Sequence, residues 1–122
     1  RSLALMERFN QIFPQTRFLA AESIAALSLE GKDILINASS IGMRETDPLL
    51  VNSAQLHAGL FIYDLIYNPL ETKLLKLAQE QNLSHANGLG MLLYQGVDAL
   101  NLWISPKCAP GFTWLMPRNK HS

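Results

Sequence analysis

Three stretches of this sequence hold residues whose types and spacing suit chemistry as well as packing. In the first, Gly88 and Gly90 flank Leu89 between Asn87 and Met91, ahead of a helix-forming run that carries Gln95 and Gly96. Glycines so placed let the backbone turn tightly and come close to a ligand, although a short Gly-x-Gly also serves a plain turn. In the second, Ala38, Ser39, Ser40, Ile41, Gly42 and Met43 follow Asn37, so two hydroxyls either face a guest or bond within their own turn. In the third, an apolar run holding Asp64 and Leu65 closes on Tyr67, Asn68 and Pro69. The phenol of Tyr67 and the amide of Gln95 are good donors to aim into a cleft; the plain alternatives are a phenol in water and an amide satisfied by backbone. Leu65 reads from its run alone as a core strand residue. Asp64, an acid within an apolar strand, needs a partner, and a structural hydrogen bond to the Asn68 turn is expected. His57, His85 and His121 share no ligand spacing, so no metal is assigned.

The elements that must position these residues follow from periodicity. Leu5, Met6, Phe9, Ile12 and Phe13 mark one face of a helix from Ser2, placed to cap it, to Phe13, and Pro14 ends it. Arg17 to Ala20 reads as a short strand, and Ser23 as the cap of a brief helical turn through Leu27. Asp33 to Asn37 is a continuous apolar run, the mark of a strand buried on both faces of a parallel sheet. A turn-rich segment with Asp47, Pro48 and Asn52 leads to a second strong strand, Leu60 to Tyr67. Thr72 caps a helix with Leu74, Leu75 and Ala78 on its inner face, ending near Asn82, and Leu83 to Ala86 is a last short strand. The final helix runs from about Gly90 to Ile104; Tyr94, Asp98 and Asn101 form its one polar stripe, so it is expected to be mostly buried, with Gln95 on an apolar face. Alternating strands and helices predict an α/β fold with a parallel sheet, in which ligands bind beyond the carboxyl ends of the strands. All three stretches would then share one rim.

Composition bounds the rest. A chain of 122 residues, 48% of them apolar, fits one domain with a real core. Ten basic residues balance ten acidic ones, so no net field attracts nucleic acid or an anionic membrane. Cys108 stands alone, which excludes an internal disulfide and suits a reducing cytosol. No run is apolar enough to span a bilayer and the start lacks a signal-peptide core, so a soluble, cytoplasmic protein is expected. The chain opens on Arg1, without a methionine, at what reads as a helix cap, which points to part of a longer protein. Residues 106–122, rich in Pro and Gly, read as a tail after a domain over 1–105, with Phe112, Trp114, Leu115 and Met116 able to tack it down.

Taken in order and spacing, the Asn37–Met43, Tyr63–Pro69 and Asn87–Gly96 motifs resemble the carboxyl-terminal, NADP-binding half of shikimate dehydrogenase. The likeness covers roughly Arg1 to Trp103 and implies an incomplete Rossmann-like, doubly wound parallel sheet that lacks the first two strands and the Gly-rich phosphate loop. It implies that Arg1 and Ser2, at the end of the missing second strand, meet the 2′-phosphate of NADP, which a guanidinium fork and free helical N–H groups suit. The family's second basic residue is replaced here by Leu5, with Arg8 one turn on. It further implies that Ser39, Ser40, Leu65 and Gly88 lie against the cofactor, and that Tyr67 and Gln95 hold the hydroxylated substrate ring. The catalytic Lys and Asp would belong to a preceding domain, so the implied activity, reduction of 3-dehydroshikimate to shikimate with NADPH in aromatic amino-acid biosynthesis, belongs to the longer enzyme. Two other readings stand beside it: a paralogue taking quinate or NAD, and a non-catalytic remnant that forms a homodimer through an open sheet edge.

Overall fold

A computed structural model describes residues 2–104. Its elements are α1 (Ser2–Ile12), β1 (Ile34–Asn37), a 3-10 turn (Ser53–Gln55), β2 (Phe61–Asp64), α2 (Lys73–Glu80), β3 (His85–Ala86) and α3 (Leu89–Trp103). The strands form one parallel sheet in the order β1-β2-β3, with Leu35 opposite Ile62 and Asn37 opposite Asp64. The fold is therefore α/β and matches part of a Rossmann-like sheet. Among the described residues no helix is long and apolar enough to cross a membrane.

One face of the sheet carries the core. Leu74, Leu75 and Ala78 of α2 pack with Leu35, Ile62, Leu60 and Leu83, and Leu29 and Val51 close the cluster from the loops. Helix α2 starts where Thr72 accepts a hydrogen bond from the N–H of Leu75 and ends before Asn82, whose φ of 55° reverses the chain. Before β2, Asn52 and Gln55 form a reciprocal capping box around the 3-10 turn, which the sequence reading treated only as loop.

The opposite face is open. β1 buries Leu35 and Asn37 but leaves Ile34 and Ile36 about half exposed, so the expected burial on both faces is corrected to one. The helix that packs on the strands among the described residues is α2, and no residue of α3 is buried. The expectation of a mostly buried α3 fails for that reason: an all-round apolar helix needs cover on several sides, and the described residues supply little. Gln95, expected on a buried face, is exposed and donates to Leu92 O of its own helix at 3.1 Å. The strand expected over Arg17 to Ala20 is irregular backbone, since no neighbouring strand pairs with it; Phe18 instead packs on Phe9 at 5.4 Å. Ser23 caps a turn, not a helix, accepting from Ala26 N at 3.2 Å.

A buried polar network ties the strand ends to α2. Asp64, fully buried, accepts from Asn37 Nδ2 at 3.0 Å, from Ile66 N at 3.1 Å and from Thr72 Oγ1 at 2.6 Å. Its role is structural, as expected, but its partners are these three groups and not the Asn68 turn. Because the carboxylate takes the N–H of Ile66, β2 ends at Asp64, short of the predicted Tyr67. Among the described residues no buried side-chain polar atom lacks a partner.

Gly88 is fixed by close approach. Its φ is an ordinary −75°, so the turn does not require glycine, but a Cβ there would lie on the backbone carbonyl of Leu65, 2.6 Å from its carbon. Its N–H donates to Ile66 O at 3.1 Å, docking the start of α3 on the segment after β2. Gly90 meets nothing within 4 Å of such an added carbon. Gly88→Ala is thus expected to lower stability by about 1–3 kcal/mol, and Gly90→Ala to leave it unchanged or slightly raised, in urea unfolding followed by circular dichroism.

His57 gives a pH dependence. Nδ1 lies 3.0 Å from Ala58 O and Nε2 2.9 Å from Leu29 O, so the imidazolium donates to both carbonyls while the neutral ring donates to one. The Ala58 carbonyl first, then that of Leu29, holds the pKa above the ordinary 6.5 against opposing desolvation. A group raised in the folded state stabilises fully below its unfolded pKa, and that contribution fades as pH climbs through the folded value. Melting curves from pH 5.5 to 8.5 should show wild type losing stability with rising pH relative to His57→Gln; parallel profiles would contradict this.

Candidate functional site

The carboxyl ends of β1 and β2 open into a cleft of about 270 Å³ lined by Ala38, Ser39, Met43, Leu65, Ile66, Tyr67 and Asn68. Two of the three stretches singled out by sequence line it. The Asn87–Gly96 stretch does not line it; its Gly88 packs against the backbone of Leu65, which does. None of the lining side chains is charged, so the cleft offers a phenol, hydroxyl and amide groups and apolar surface. Such a lining suits a neutral polar ring or the uncharged end of a larger ligand.

Each wall has a local cause. Asn37 Oδ1 accepts from Ser39 N at 3.0 Å and from Ser39 Oγ at 2.7 Å, while its Nδ2 donates to Ile41 O at 3.0 Å. Ser39 Oγ also accepts from Ile41 N at 3.2 Å. This turn uses the Ser39 proton, so toward a ligand the hydroxyl is left as an acceptor. Ser40 lies outside the lining and contributes its carbonyl to the turn, accepting from Met43 N at 3.3 Å. Gly42 adopts φ +111°, and an added Cβ would press on Ile66 and Thr72, so conformation and space both call for glycine.

Asp47 holds the far side of the loop. Its Oδ2 accepts from Gly42 N at 2.9 Å and Arg44 N at 3.0 Å, and these N–H groups, Arg44 first, keep its carboxyl below the ordinary value of 3.8. From the sequence Asp47 reads only as a turn marker. Met43 and Asn68 were likewise not singled out as lining residues; their positions just past two strands were the available signal. They also border a second cleft of about 600 Å³ where Arg44, Lys73 and Lys76 meet Glu45 and Glu71. Spread over separate loops and α2, that charged group left no motif in the sequence.

Tyr67 stands at the mouth of the first cleft, about half exposed. Asn87 anchors the approach to α3, its Nδ2 donating to Leu70 O at 3.0 Å and its Oδ1 accepting from Leu89 N at 3.1 Å. Gln95 lies two turns into α3 and does not line the cleft. Ser2 is the first residue of α1, and Arg1 lies outside the described residues, as do Cys108 and the tail aromatics. Among the described residues no three His, Cys, Asp or Glu side chains cluster to hold a metal ion.

No family model matches the chain. Curated relatives do: shikimate dehydrogenase (NADP(+)) of Methanosarcina acetivorans is 40% identical over 100 aligned positions, which take in 68% of this chain and 36% of that protein. A crystal structure of shikimate dehydrogenase in complex with NADP+ superposes with a TM-score of 0.60 at 47% identity, covering 63% of this chain and 28% of its own. Shikimate 5-dehydrogenase from Listeria monocytogenes, in complex with shikimate and NAD, gives a TM-score of 0.54 at 40% identity over 58% of this chain and 25% of its own. The chain thus spans about a third of the length of the curated relatives it matches. The parallel strands, the loops at their carboxyl ends and the glycine-led helix are part of a shikimate dehydrogenase domain, and it is to that family that this chain belongs.

Proposed function

We propose that the protein carrying this chain is an NADP-dependent shikimate dehydrogenase acting in the cytoplasm, reducing 3-dehydroshikimate to shikimate. The observation that carries this reading is the uncharged cleft at the ends of β1 and β2, with the phenol of Tyr67 at its mouth and Gly88 against the backbone of its lining residue Leu65. The similar enzymes whose structures hold NADP+, or shikimate and NAD, support the choice of ligands.

The residues fit the nicotinamide end of such a cofactor. Leu65 and the loop at Ser39 and Ser40 would lie along it, and the missing Cβ of Gly88 leaves the Leu65 backbone undisturbed. Bound NADP supplies or accepts the hydride. Tyr67 would donate to a ring hydroxyl, and Gln95, now bonded within its own helix, would exchange that bond for one to the substrate. Arg1 and Ser2 would meet the 2′-phosphate. The proton-handling Lys and Asp would come from a separate substrate domain, so the 122-residue chain alone is expected to be inactive.

A second reading has its own observation. Ile34 and Ile36 are exposed on β1, an edge strand among the described residues, and such an edge favours self-association. The isolated chain should therefore form dimers; a single monomeric species in sedimentation velocity across concentration would contradict this.

The direct test of the enzyme reading is oxidation of shikimate with NADP+ by the complete protein, followed by absorbance of NADPH. Tyr67→Phe and Gln95→Leu should each cost about 0.5–1.5 kcal/mol in kcat/KM without loss of folding. Wild-type kinetics in both variants would remove these two residues from the substrate site, and substitution of quinate or NAD+ at equal efficiency would favour the paralogue.

A further inference from the structure

The Asp64 network joins two groups that the proposed reaction uses separately. Going one way, Asp64 Oδ1 accepts from Asn37 Nδ2 at 3.0 Å, and Asn37 Oδ1 accepts from both the N–H and the hydroxyl of Ser39. Going the other way, the same Oδ1 accepts from Ile66 N at 3.1 Å. The segment that ends in Tyr67 is thereby pinned at successive peptides: Leu65 N donates to Asn37 O at 3.0 Å, Ile66 N to the carboxylate, and Gly88 N to Ile66 O at 3.1 Å. Behind both branches stands Thr72, whose hydroxyl donates to Asp64 Oδ2 at 2.6 Å while accepting from Leu75 N at 3.3 Å.

We propose that Asp64 and Thr72 are positioning residues that set the cofactor-side Ser39 turn and the substrate-side Tyr67 segment in one shared register. Neither lines the cleft, and Asp64 and Thr72 are both buried. A single carboxylate oxygen serves both branches, so a shift of the carboxylate moves Ser39 and Tyr67 together. Thr72 holds the other oxygen, Oδ2, and so fixes the carboxylate from the start of α2, whose apolar face is locked in the core. Small misplacements of reacting groups carry large kinetic penalties, which gives this register its value.

The proposal rests on the dehydrogenase reading, and two measurements keep the two apart. In the complete protein, Asp64→Asn and Thr72→Val should each lower kcat/KM by about 10- to 100-fold well below their melting temperatures, raising KM for NADP and for shikimate together. Thr72→Ser, which keeps the hydroxyl, should restore both KM values to within about twofold of wild type. Variants that melt earlier but keep wild-type kinetics would show a merely structural network and overturn the proposal. In the complete protein, amide exchange read by NMR should speed up together at Ser39 and Ile66 in Thr72→Val and stay slow in Thr72→Ser. Independent exchange at the two sites would overturn the coupling, and this readout stands even where wild type fails to oxidise shikimate, which would remove the enzyme reading alone.

Discussion

The structure depends on a buried carboxylate satisfied by neutral donors. Asp64 lies at the carboxyl end of the central described strand, and among the described residues no cation bonds to it; an amide, a peptide N–H and a hydroxyl meet its two oxygens. A buried acid without partners costs several kcal/mol, so the donors are obligatory and each fixes a different piece of chain. Asn37 brings the end of β1, Ile66 the chain leaving β2, and Thr72 the start of α2. The rim of the sheet is thus assembled around one side chain, and the cleft lies between the first two of those pieces, the chain after β1 and the chain after β2.

Packing is one-sided by comparison. Leu35 and Ile62 meet α2 across an apolar core, while Ile34 and Ile36 on the reverse of the same sheet stay open along with most of α3. In a doubly wound sheet both faces are covered. The described residues leave one face of the sheet uncovered, in a chain that spans about a third of the length of the curated relatives it matches.

How much of this could be read beforehand follows from the range of each signal. Thr72 with Leu74, Leu75 and Ala78 is a local pattern, and the helix appears with that cap and those buried residues. The parallel arrangement and the convergence of the Ser39 and Tyr67 stretches also follow from alternating elements. The partners of Asp64 did not: Asn37 is 27 residues away and Thr72 eight, beyond any turn geometry that could suggest them. Apolar periodicity identified the faces of β1 and α3 without saying what lies against them, so their burial was overestimated. The glycine at Gly88 is expected to let the chain turn and approach a ligand; its φ is ordinary, and the group it approaches in the structure is the Leu65 backbone. The placing of Gln95 rests on family likeness, since its amide is satisfied within α3.

The most direct measurement is a crystal structure of the complete protein with NADP+ and shikimate bound. The nicotinamide should lie in the cleft between Ser39 and Leu65, with the Tyr67 hydroxyl hydrogen-bonded to the shikimate ring and Asp64 still bridging Asn37, Ile66 and Thr72. A dinucleotide bound away from that cleft, or a Tyr67 phenol pointing into solvent with shikimate in place, would contradict it.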